Sequence, residues 1–114
     1  MTECLFCKIA AGEIPATTVY SDDEVLAFRD INPQAPVHVL VIPRVHYANI
    51  AEVAEADPAL VGALVTAARN IAFEQGSGDS GYRLIFNTGP DAGQTVFHAH
   101  LHLLAGKGLR LTMA

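Results

Sequence analysis

Three histidines alternate with apolar residues in Thr95-Val96-Phe97-His98-Ala99-His100-Leu101-His102-Leu103-Leu104. A strand repeats its side-chain direction every two residues, so this spacing predicts a strand over 95–104 with His98, His100 and His102 on one face. Phe97, Ala99, Leu101 and Leu103 then take the core face. Neighbouring rings on such a face stand roughly 6.6 Å apart along the strand. That is too far for three imidazoles to close on one ion unless the chain bends, which frees the middle ring as nucleophile or base. A metal site built on two adjacent histidines is the rival reading of the same pattern.

Such a strand needs a framework. The chain has 114 residues, 51% of them hydrophobic and 17% charged, so a single folded domain over 1–114 is expected, with no need of disulfide staples. The formal charge is −5 and the seven basic residues are scattered. A nucleic-acid backbone is therefore not expected as a partner, whereas a small phosphorylated ligand can be held by backbone N–H groups. No basic leader followed by an apolar core opens the sequence, and no apolar run is long enough to span a bilayer. The reading is a cytoplasmic protein without membrane contact, in which Cys4-x-x-Cys7 is a metal half-site or a redox pair rather than a structural disulfide.

Residues 5–11 fit a short helix that Gly12 ends. Residues 17–20 and 25–29 flank the polar turn Ser21-Asp22-Asp23-Glu24 as a hairpin, with Leu26, Phe28 and Asp30 on one face. Two prolines make 30–36 a fixed loop. The β-branched run 37–42, stopped by Pro43, predicts a strand buried on both faces. His38 within it reads as a satisfied core residue unless the triad strand lies alongside. Asp57 as N-cap and Pro58 at the first turn open a long helix that Gly76 closes. Its apolar residues Leu60, Val61, Leu64, Val65, Ala68, Ile71 and Ala72 cover more than one stripe, which fits a helix packed on its own sheet and on a second copy of the chain, or one sunk wholly in its own fold. Residues 75–81 read as a linker, 82–86 as a strand, and the glycine-bearing loop 87–94 delivers the chain into the triad strand.

His98-Ala99-His100-Leu101-His102-Leu103-Leu104 resembles the signature of the histidine triad (HIT) superfamily. Further matches make the resemblance one to its Hint-like, purine nucleoside phosphoramidase branch. These are Phe6-Cys7-Lys8-Ile9, Gly12-Glu13-Ile14-Pro15, Phe28-Arg29-Asp30-Ile31-Asn32-Pro33, the run from Ala35 to Pro43, and Gly93-Gln94-Thr95-Val96-Phe97-His98. The resemblance implies an α+β fold: a five-stranded antiparallel sheet with one long and one short helix, and a homodimer whose two sheets form one of ten strands. It implies a purine nucleotide ligand, AMP or GMP, with the ribose on Asp30 and the base and sugar enclosed by Leu5, Phe6, Ile9, Phe28, Ile31 and Leu40. Asn87, Gly93, Gln94 and Thr95 match its phosphate loop.

By the same resemblance His100 is the nucleophile, flanked by His102 and His38, with His98 completing the triad. Attack of a neutral imidazole on the α-phosphorus gives a nucleotidyl-histidine that water then cleaves, turning AMP-X into AMP and X. A histidine rather than glutamine at 102 favours hydrolysis over nucleotidyl transfer. The implied substrates are nucleoside phosphoramidates and acyl nucleotides. A nucleotide-binding regulatory module, a dinucleoside polyphosphate hydrolase and a catalytic metal hydrolase are the competing readings. Relatives that keep both cysteines carry structural zinc, which assigns Cys4, Cys7, His46 and His98 as a Cys₂His₂ set. A redox pair or two buried thiols is the alternative, and strict alternation puts His98 on the face of His100, away from such a set unless the strand twists. The ending Lys107-Gly108-Leu109-Arg110-Leu111-Thr112-Met113-Ala114 lacks the Trp-Pro-Pro of Hint relatives, and Thr95 stands where a serine is frequent.

Overall fold

A computed structural model describes residues 4–106, 108 and 109. Most of the 107–114 tail, and the first three residues, thus lie outside the described residues. Asp22 Oδ1 accepts the backbone N–H groups of Glu24 and Val25, each at 2.8 Å, and so closes the turn between β1 (Thr18–Ser21) and β2 (Val25–Arg29). The chain crosses to β3 (Val37–Pro43), and after two helices it adds β4 (Tyr82–Phe86) and β5 (Leu101–Ala105). The order is β1-β2-β3-β5-β4, antiparallel at every junction, as expected for the sheet.

Strand β3 lies at the centre and is buried on both faces, so its unbroken apolar run has two layers to fill. Val39 and Val41 join Val25, Ala27, Leu101 and Leu103 under the long helix α3 (Pro58–Glu74), against Leu60, Leu64, Ala68, Ile71 and Ala72. On the opposite face Leu40 and Ile42 join Leu26, Phe28 and Phe6, the last carried by the short helix α1 (Leu5–Ala10). Among the described residues no helix is long and apolar enough to cross a membrane.

Four expectations are corrected. Among the described residues there are three α-helices, because α2 (Ile50–Ala56) precedes the long one; Asn49 accepts the Glu52 N–H and Glu52 reaches back to the Ala48 N–H, each at 3.0 Å. Asp57 stands at the start of α3, yet its carboxylate makes no cap bond. The triad strand begins at Leu101 rather than at 95. The β3–β5 register would set Ala99 opposite Pro43, which has no N–H, and the Ala99 N–H goes instead to the Tyr47 carbonyl at 2.7 Å. Phe97, outside the strand, is 49% exposed and does not join the core.

Candidate active site

Cross-strand register builds the floor of the site. Phe28 pairs with Leu40 and Leu40 with His102, so three side chains from β2, β3 and β5 form one row on the face turned away from α3. His38 pairs with Leu104, one step diagonal from His102. The α1 helix lies over this row. Phe6 is buried and meets Phe28, His100 and His98 edge-on, with ring centres 5.5, 5.1 and 6.0 Å away. Between helix and row is a cavity of about 310 Å³. Leu5, Phe6, Ile9, Phe28 and Leu40 form its apolar wall, Asp30 and Ile31 lie at its rim, and Thr95, His100 and His102 face it across β5 and its approach.

Backbone groups decide which imidazole nitrogens carry protons. His100 Nδ1 is 2.8 Å from the His98 carbonyl, which only accepts, so Nδ1 donates and Nε2 keeps a lone pair. His38 works the other way: its Nδ1 accepts the Gln34 backbone N–H at 3.0 Å, which places the proton of the neutral ring on Nε2. That Nε2–H lies 3.0 Å from His102 Nδ1 and 3.4 Å from Asp30 Oδ2. His102 in turn accepts at Nδ1 and carries its proton on Nε2. The site thus sets a lone pair on His100 beside an N–H donor on His102, whose ring centres are 5.0 Å apart. Asp30, His38 and His102 are close enough to suggest a metal cluster. The proton held on His38 Nε2 removes the lone pair that a ligand would need, which argues against a catalytic ion there.

Burial lowers the pKa of His102 to about 4; the neighbouring charges of His100 and His38 add to the fall and Asp30 opposes it. His38 is lowered by burial as well, again against Asp30. Both rings are neutral at pH 7. For His102, the folded state resists protonation that the unfolded chain accepts near pH 6.5. This contribution is fully present above that pH and is lost as pH falls towards 4. Discounted for the solvent that reaches the ring, it amounts to about 1 kcal/mol by pH 5, or roughly 4–8 °C in melting temperature. Melting curves at pH 7 and pH 5 on wild type and His102→Gln check it, since the variant should lose much of that pH dependence.

A second cluster sits behind the cavity. Cys4 Sγ is 3.4 Å from His98 Nδ1; Cys7 Sγ is 3.5 Å from the same atom and 3.3 Å from His46 Nδ1; the two histidine Nδ1 atoms are 3.2 Å apart. A tetrahedron with zinc bonds to sulfur and nitrogen has edges of roughly 3.3–3.8 Å, so the four donors fit such an ion. His98 Nε2 donates to the Pro43 carbonyl at 2.8 Å, leaving Nδ1 unprotonated for ligation. Since His98 precedes β5, the alternation of a strand does not constrain it, which removes the conflict over its facing. Burial, then hydrogen bonding and charge from Cys4, raise the Cys7 thiol above its usual range.

Asn87, Gly93 and Gln94 do not line the cavity. The buried Gln94 amide accepts the Gly89 N–H at 2.7 Å and donates to the carbonyls of Ala48 and Val96 at 2.7 and 3.0 Å, so it shapes the loop from within. Ile14, Pro15, Ala16 and Val96 line the cavity without having been singled out as pocket residues. The usable signal was the apolar run Ile14-Pro15-Ala16 directly after the exposed turn at Gly12.

Comparison with known proteins agrees with this geometry. The HIT domain family model matches residues 11–109. A purine nucleoside phosphoramidase of Escherichia coli (strain K12) is 46% identical over 107 residues, covering 94% of this chain and 90% of that one. A 14 kDa zinc-binding protein of Zea mays is 47% identical over 105 residues, covering 90% and 81%. The solved structure of a HIT family hydrolase from Clostridium thermocellum superposes with a TM-score of 0.94 at 46% identity, covering 100% of this chain and 99% of that one.

Proposed function

This chain belongs to the HIT family, and from that premise we propose that it is a hydrolase that cleaves purine nucleoside phosphoramidates or acyl nucleotides through a nucleotidyl-His100 intermediate. The observation that carries the reading is the His100 Nδ1 bond to the His98 carbonyl, which turns the Nε2 lone pair into a formed cavity.

In this reading the base lies on Leu5, Phe6, Ile9, Phe28 and Leu40, beside Ile31, and the ribose hydroxyls donate to Asp30. Oδ1 of that carboxylate already holds the Asn32 N–H at 2.8 Å and Oδ2 faces His38, yet about four lone-pair positions are available, so room remains for two hydroxyls. Nε2 of His100 forms a bond to phosphorus as the P–X bond breaks, and X departs with the electron pair and takes a proton from solvent, which the attacking water later restores. Water then attacks phosphorus, the N–P bond breaks, and His100 is regenerated; one water is consumed per AMP released. Thr95 and the His102 N–H are the donors nearest the developing charge, with Gly93 and Asn87 acting through the loop that Gln94 holds. His102 is neutral at pH 7, so its part is to donate a hydrogen bond rather than to carry a stored charge.

The Cys4, Cys7, His46 and His98 set would hold zinc as a structural ion, fixing α1 against the start of β5. A homodimer through α3 belongs to the same reading, supported by Val65 and Phe73, which are 38% and 47% exposed on that helix. Sedimentation as a single 12.1 kDa particle would remove that part.

The test of the reaction is single-turnover incubation with adenosine 5′-phosphoramidate, stopped in alkaline denaturant that spares a P–N bond. AMP release is expected, together with a protein mass raised by one adenylyl group. A chain that binds AMP but neither gains that mass nor releases product leaves only the nucleotide-binding module.

A further inference from the structure

The two clusters share parts. The carbonyl that holds His100 in its attacking tautomer belongs to His98, whose ring is a member of the Cys/His set on the other side of the chain. Phe6 stands edge-on to both rings. Its helix carries Cys4 and Cys7 at one end and, between and beyond them, the cavity residues Leu5, Phe6 and Ile9. Cys4 is also the N-cap of that helix, its sulfur accepting the Cys7 N–H at 3.4 Å.

We infer that His98, together with Cys4, Cys7 and His46, acts as a positioning device for the nucleophile and for the base-side wall. Filling the set therefore controls nucleotide affinity and the His100 proton position. The reasoning is mechanical. Outside the β5 ladder, the peptide between His98 and Ala99 is held by the Ala99 N–H on the Tyr47 carbonyl and, through the His98 ring, by the Pro43 carbonyl on Nε2 and the cysteine and histidine donors around Nδ1. Without the donors around Nδ1 the ring end of that hold is loosened, and the peptide that presents the carbonyl to His100 can pivot about its remaining Ala99–Tyr47 bond. His100 Nδ1 then loses its fixed acceptor and the ring divides between tautomers, one of which has no lone pair at Nε2. The same event unties α1, and with it the wall that Leu5, Phe6 and Ile9 present to a base.

The inference rests on the proposed role of His100, but its readouts do not require turnover. Zinc-loaded wild type, Cys7→Ser and Cys7→His are compared by AMP titration calorimetry and by nitrogen-15 NMR of labelled histidine. Loaded wild type is expected to show His100 as the Nδ1–H tautomer. Cys7→Ser, on losing zinc, is expected to show averaged His100 resonances and AMP binding weaker by about tenfold to hundredfold. Cys7→His, which restores a fourth ligand as a third nitrogen donor, should recover both with zinc. Should Cys7→Ser not fold, stripping the wild type with a chelator below its melting temperature gives the same comparison. Unchanged His100 resonances and unchanged AMP affinity after metal loss overturn the inference, as does a wild type that takes up no zinc. A loaded protein with the expected tautomer and AMP affinity, yet no adenylylation, overturns the hydrolase reading and leaves the positioning intact.

Discussion

Replacing His100 with alanine lowers turnover of an adenosine phosphoramidate by about 10⁴-fold or more, while AMP binding persists within about tenfold. The asymmetry follows from what the ring does. It supplies the nitrogen that bonds to phosphorus, whereas the affinity for AMP comes from the apolar wall and Asp30 on the other side of the cavity. Its Nδ1 also ties down the His98 carbonyl, so alanine removes a structural bond together with the nucleophile. His100→Asn separates the two losses, because the carboxamide N–H can reach the same carbonyl while the side chain has no nucleophilic nitrogen for attack. Both variants should be inactive and unmodified in the alkaline quench, with Asn melting closer to wild type. Turnover retained by either variant above about one part in a hundred excludes a covalent route through this residue.

The arrangement around His100 was legible in the sequence only in part, and the boundary has physical causes. Period-two alternation placed Phe28 beside Asp30 and set His38 and Leu40 on one strand, and the β2–β3–β5 register turns those local patterns into a shared row with His102. Residue spacing does not give the direction of each imidazole, although the resemblance implies a backbone carbonyl behind the nucleophile, where the His98 carbonyl stands. That direction depends on the His98 carbonyl and the Gln34 N–H, main-chain groups whose positions no side-chain pattern encodes. The start of β5 was misplaced because alternation continues through His98, while the ladder ends where Pro43 has no N–H to give. Helix α2 was missed although Asn49 and Glu52 stand at capping-box spacing, since its seven residues carry only a short apolar stripe. Gln94 matched a binding motif, but motif identity does not reveal whether a side chain faces the ligand or braces the loop.

Asp30 carries the second large effect, and it is one of binding rather than of chemistry. Charged hydrogen bonds of this kind contribute about 1.5–3 kcal/mol each, so Asp30→Ala should lower kcat/KM by about 10²-fold or more, with most of the loss in KM. Substrate chemistry distinguishes this from simple damage. A 2′,3′-dideoxy phosphoramidate lacks both hydroxyls and should lose a similar factor with wild type. With Asp30→Ala the ribose and dideoxy substrates should be cleaved at nearly the same rate, because the interaction has already been removed. The carboxylate also faces His38 at 3.4 Å and supports the charged forms of His38 and His102. In the variant both rings hold their protons still less readily and remain neutral at pH 7, so kcat at that pH should change far less than KM. An Asp30→Ala enzyme that still discriminates the ribose from the dideoxy substrate by tenfold would place the sugar elsewhere in the cavity and with it reverse the assigned direction of the nucleotide.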